Sequence, residues 1–149
     1  MITNRAIKKC LFIAASMAIT MPALSAENCT FQFDNGETLR MPVARTLEQQ
    51  SAGLRNVEPD AIAAGLAFVW SEPNFRFVWT RDAPALSVAW LDHNGVVLSV
   101  QELPANSSEM YSSAAPAMAV LELAPGGFSR LGISPGSRVV SSSCLRLAP

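Results

Sequence analysis

The stretch "LSVAWLDHNGVVLSVQEL", Leu86 to Leu103, decides the fold class. Two runs rich in β-branched and apolar residues flank Asp92-His93-Asn94-Gly95. Asn-Gly is the preferred central pair of a type I′ hairpin, a turn that requires positive φ at both central residues. The stretch therefore predicts two antiparallel strands joined by a tight turn. His93 is the only histidine of the chain and lies inside that turn. Asp, His, Asn and Gly are all expected there for backbone reasons alone.

Working outward, short strands recur. "CTFQF" and "TLRMPVA" flank Asp34-Asn35-Gly36, a second hairpin signal. "TLEQQSAGL" opens with a capping box, Thr46 and Gln49, and predicts a short helix ending at Gly53. "EPDAIAAG" predicts another helical turn, with Pro59 near its start and Gly65 at its close. "LAFVW" and "RFVW" read as strands divided by the turn sequence "SEPN". After the long polar loop "PANSSEMYSSAAP", "AMAVLEL" reads as a strand and "GGFSRLGI" as a helical turn. "PGSRVVSSSCLRL" then supplies a turn and a closing strand. Many short strands with two or three short helices give an α+β class, mostly β: a small strand-rich domain with a closed barrel as its extreme form.

The N-terminal stretch follows a different rule. Arg5, Lys8 and Lys9 precede the apolar run "CLFIAASMAITMPAL" and the small residues before Glu27. This is the pattern of a cleaved secretory signal over residues 1–26, leaving 27–149 as one domain. A spanning helix needs about 20 apolar residues, more than this Pro22-containing run provides. The expected location is periplasmic or secreted, without membrane insertion after cleavage.

Residues 27–149 carry eight arginines, no lysine and twelve acidic residues, a net charge of −4. Nucleic acid and anionic membranes select basic patches, so neither is an expected partner. With Cys10 removed, Cys29 and Cys144 remain, one near each end of the domain. In an exported protein such a pair is expected to form one disulfide stapling the first strand to the last.

Motifs for catalysis are sparse. The chain has no G-x-S-x-G elbow, P-loop or G-x-G-x-x-G fingerprint. A Ser-His-Asp triad depends on His93, and a zinc or iron site lacks imidazoles. We assign no catalytic residue, metal or cofactor from sequence. The polar cluster in "FVWTRDAPALS", Phe77 to Ser87, is the more suggestive feature. Glu122 lies in "AMAVLELA", where alternation can turn it inward, and a buried carboxylate needs a partner. Arg81 is the expected one. Trp70, Trp79 and Trp90 read as core or rim packing, or as the aromatic wall of a pocket.

These motifs, with "GLAFVW" (Gly65–Trp70), "YSSAAPAMAVLELAPGG" (Tyr111–Gly127) and "LGISPGSRV" (Leu131–Val139), resemble the family called domain of unknown function 192. The family carries Phe-Trp-Met-Lys-Asn-Thr ahead of Ile-Pro-Leu-Asp. Trp79 to Ala83 match the first of these with one residue deleted before Leu86. An ungapped match instead sets Arg81 on the asparagine and Asp82 on the threonine. The resemblance implies a compact, strand-rich, often exported fold and no particular activity.

Two functions are consistent with these residues. In the first, Trp79, Arg81, Asp82, Glu102 and Glu122 converge near one end of the barrel and bind a small ligand or an envelope protein without catalysis. In the second, Glu102 and Glu122 form the acid pair of a cell-envelope hydrolase, which requires roughly 5–10 Å between carboxylates across a cleft. A purely structural role is the remaining possibility.

Overall fold

Alternating apolar residues become a curled sheet with a buried inner face, and only its strands Leu86–Leu91 and Ala117–Leu123 are buried on both faces along their whole length. The computed structural model describes residues 27–147; the expected signal segment, residues 1–26, lies outside the described residues. Strands β1 (Asn28–Phe33) and β2 (Thr38–Ala44) form an antiparallel hairpin. Helices α1 (Leu47–Ala52) and α2 (Pro59–Ala64) cross over to β3 (Leu66–Asn74), which runs parallel to β2. After the two-residue β4 (Phe77–Val78) come β5 (Leu86–Leu91) and β6 (Val97–Leu103). β7 (Tyr111–Ser112) pairs with β4 as a small separate ribbon. β8 (Ala117–Leu123), α3 (Gly127–Arg130) and β9 (Val139–Ser142) complete the chain.

The main sheet has seven strands in the order β6-β5-β8-β3-β2-β1-β9. It curls into a half-barrel whose two edges touch at one corner. There the Val97 and Val139 N–H groups donate to Ser137 and Gly95 carbonyls at 2.8 and 2.9 Å, and Val96 bridges Arg138. One core fills the inside of the curl and draws on β1, β2, β3, β5, β6, β8 and β9, with Phe31, Phe33, Met41 and Leu121 fully buried. A second core covers the other face of β3, β5 and β8 and contains Phe68, Val88, Trp90 and Val120. Burying each such large side chain is worth about 1.5–3 kcal/mol.

The expected hairpin at Asp92–Gly95 forms, but not as type I′. Gly95 has φ +76 while Asn94 stays at negative φ, and the register shifts between Trp90 and Leu91. Asp92 explains the choice: its Oδ1 accepts the Asn94 and Val96 N–H groups, both at 2.8 Å, which holds the turn in a three-residue, bulged form. The capping box of α1 is present, with Gln49 N–H donating to Thr46 Oγ1 at 3.1 Å and Gln49 Oε1 accepting from Thr46 N–H at 3.1 Å. "SEPN" is a second difference. It continues β3 as an irregular extension to Asn74, and the chain turns only at Phe75-Arg76. Cys29 and Cys144 form the expected disulfide, with Cα atoms 5.6 Å apart.

Candidate functional site

β8 places Glu122 in the sheet between Leu66 of β3 and Val88 of β5, its direct cross-strand partners. One step along the same face, Val120 lies between Phe68 and Trp90. Residues two apart on a strand share a face, so Glu122 emerges among apolar side chains of the second core. It is 4% exposed, and among the described residues no hydrogen bond or ion pair reaches its carboxyl group. Desolvation by burial pushes its pKa up from 4.5 to about 8, so near neutrality the site favours the uncharged acid.

Above this face lies a pocket of about 270 Å³. Glu122 and Val120 contribute to it from β8, Phe68 and Trp70 from β3, and Phe77 and Trp79 from the β4 segment. α1 and the turn after it close one side with Gln50, Ser51 and Arg55. The volume falls just below the usual range for ligand pockets, roughly 300–1,000 Å³, and an apolar wall with few polar groups is their usual chemistry. Phe68 and Trp70 stack with centroids 6.1 Å apart, and the Arg76 guanidinium carbon lies 4.0 Å from the Trp70 ring centroid. Arg76 also donates to the Glu72 carbonyl at 2.9 Å, so the end of β3 holds Trp70 in place. Phe77 and Trp79 remain 55% and 47% exposed and offer free ring surface at the mouth.

The residues singled out in the sequence separate into three places. Trp79 and Glu122 line the same pocket. Arg81 and Asp82 occupy a turn in which Ala83 N–H donates to the Thr80 carbonyl at 3.0 Å and Asp82 takes φ +57. Buried Thr80 anchors this turn: its hydroxyl donates to the Pro104 carbonyl and accepts Ser107 N–H. Both charged side chains of the turn face solvent, so the expected Arg81–Glu122 pair does not form. Among the described residues the ion pair is Arg45–Glu27, at 2.9 Å.

Glu102 is in the third place. Its Oε1 accepts the Ser87 hydroxyl at 2.6 Å and its Oε2 accepts Gly126 N–H at 3.0 Å. Ser87 is the register partner of Glu102, and its neighbour Val88 is the partner of Glu122. Successive strand residues point to opposite faces, so the two carboxylates do not share a cleft. Of the tryptophans, Trp90 is core and fully buried, while Trp70 and Trp79 are pocket wall. Gln50, Ser51 and Arg55 carried no sequence signal beyond the capping box that positions α1.

Fold and site together define a strand-rich half-barrel domain with an aromatic-walled pocket over a buried acid. Residues 30–141 match the model of domain of unknown function 192, described as Uncharacterized ACR, and the chain belongs to that family. It is similar to a solved structure from Sinorhizobium meliloti described as a "putative transcription regulator", with 25% identity and a TM-score of 0.67, over 76% of this chain and 92% of that one. It is also similar to a protein of unknown function from Novosphingobium aromaticivorans, with 26% identity and a TM-score of 0.66, over 78% and 85% of the two chains. No curated protein matches it.

Proposed function

We propose that this domain is an exported, non-enzymatic binding module that takes a small ligand in the pocket over Glu122. The observation that carries this reading is a carboxyl group 4% exposed, unpartnered among the described residues, in a pocket with aromatic walls. Such a group is costly unless something entering the pocket meets it. The reading extends to residues 1–26 as a cleaved signal and 27–149 as the exported domain, in the periplasm or outside the cell. A disulfide between Cys29 and Cys144 supports an oxidising compartment. Arg81 and Asp82, on their exposed turn beside the mouth residue Trp79, are the contact offered to an envelope partner. The regulator description of the Sinorhizobium meliloti protein does not lead us to a nucleic-acid partner, because residues 27–149 here are acidic and lysine-free.

The test is a thermal-shift screen of the purified domain against small molecules. Compounds that raise Tm are expected to lose most of that effect in Trp79→Ala and Glu122→Gln, and to keep it in Glu102→Gln. Shifts that survive both pocket substitutions place the binding elsewhere and overturn the reading.

A further inference from the structure

Glu122 is the one acidic residue among those lining the pocket, and its surroundings indicate what it meets. Its flanking residues in the sheet, Leu66 and Val88, are apolar, and α1 contributes the uncharged Gln50 and Ser51. The faces of aromatic rings carry partial negative charge, so rings and a carboxylate attract the same class of group, a cation. This fold already uses that attraction once, where the Arg76 guanidinium lies over Trp70. Phe77 and Trp79 leave ring surface uncovered at the mouth.

We propose that the pocket takes a ligand bearing a protonated amine on a small apolar body. The ammonium group donates to the Glu122 carboxylate, and the body lies against Phe77 and Trp79. This deepens the binding-module reading and rests on it. Other charged groups nearby do not compete for the acid. Arg55 lines the pocket but is partly exposed, and its Nε donates to the Ala52 carbonyl at 3.2 Å. Arg76 is held on Trp70 and the Glu72 carbonyl. Asp60 on α2 and the Arg81-Asp82 turn are exposed, and Glu102 is on the opposite sheet face.

Proton balance gives the proposal a distinctive readout. Burial keeps Glu122 largely protonated up to about pH 7. An ammonium ligand binds the carboxylate form, so the Glu122 proton passes to solvent as the ion pair forms. Around pH 7 this releases about 0.9 proton per ligand bound, and affinity tightens roughly tenfold per pH unit from pH 5 to 7 and less steeply as pH approaches 8.

Benzylamine and benzyl alcohol are the probes, because they share an apolar body and differ in charge. Each is titrated into the domain by NMR, to tens of millimolar, and by calorimetry in two buffers of different ionisation enthalpy. The expected result is perturbation at Phe68, Trp79 and Val120 by benzylamine, with proton release, at least tenfold weaker binding of the alcohol, and loss of the amine preference in Glu122→Gln. If the alcohol binds as well as the amine, or the amine binds without proton release, the ammonium assignment is overturned while the pocket remains a binding site. If neither probe perturbs the pocket, the assignment and the binding reading beneath it both fall.

Discussion

Glu102 and Glu122 lie on opposite faces of one sheet, although their register partners, Ser87 and Val88, are neighbours on β5. A hydrolase that uses two acids needs them to flank the scissile bond within one cleft, so placement on opposite sheet faces removes the geometric basis for that reading. It also predicts energetic independence. In urea unfolding, the effects of Glu102→Ala and Glu122→Gln should add within about 0.5 kcal/mol. Glu102→Ala alone should destabilise by about 1–2 kcal/mol, because Ser87 and Gly126 N–H lose their shared acceptor. A coupling above 1 kcal/mol on the order expected for contacting groups contradicts the opposite-face placement.

Glu122 should set a pH dependence of stability with a definite sign. An acid whose folded pKa is raised holds its proton more tightly in the folded state, so stability falls as pH rises between the unfolded and folded values. Here that window runs from 4.5 to about 8. Wild type should lose up to about 1.4 kcal/mol per pH unit across it relative to Glu122→Gln, and level off above pH 8. Urea midpoints of both proteins at pH 5, 6, 7 and 8 check this. A constant difference between them rules it out.

Gly65, where α2 ends and β3 begins, is a backbone requirement beside β8. It has φ +73, and a Cβ there would lie 2.6 Å from the Glu122 carbonyl oxygen and 2.8 Å from Leu123 Cδ2. Gly65→Ala should cost about 2–4 kcal/mol, from backbone strain and the clash with β8. Gly36→Ala is the comparison: φ is +91 with nothing within 4 Å of its Cβ, so about 1–2 kcal/mol of strain alone is expected. Equal losses at the two sites would mean that packing against Glu122 and Leu123 contributes nothing.

The Cys29–Cys144 bridge spans 115 residues of sequence. In the chain-entropy model, a loop of that length contributes about 4–5 kcal/mol. Reduction, or a Cys29→Ser/Cys144→Ser variant, should lower the urea midpoint accordingly. Mass spectrometry of the non-reduced protein should show no free thiol in residues 27–149. Two alkylated cysteines there contradict the bridge.

The strands, caps and hairpins were legible because each rests on local chemistry: alternation in "AMAVLEL", the Thr46–Gln49 box, and Asn-Gly pairs. The Asp92 turn was misjudged in type because its side-chain hydrogen bonds compete with the preference of Asn-Gly. The site was legible only by residue. Alternation did bring Glu122 inward, but whether Glu102 shares its face depends on how β5 registers with β6 and β8, and no local pattern encodes that. Arg81 was expected to pair with Glu122 because it was the arginine nearest the other candidate polar residues. Thr80, buried and bonded to the Pro104–Ser107 loop, instead turns Arg81 outward.

The single parallel pairing in the sheet, two residue pairs linking Val43 to Ala67 and Ala44 to Phe68, divides the domain into two plates along a short line. The crossover from Arg45 to Gly65 hangs over that line and forms one side of the pocket, while Phe68 and Glu122 form its floor beyond it. An occupant therefore grips the crossover and the second plate together. Local opening starts where few bonds hold, so occupancy becomes readable at a distance as stiffness, in slower proteolysis of the crossover and slower amide exchange along the seam.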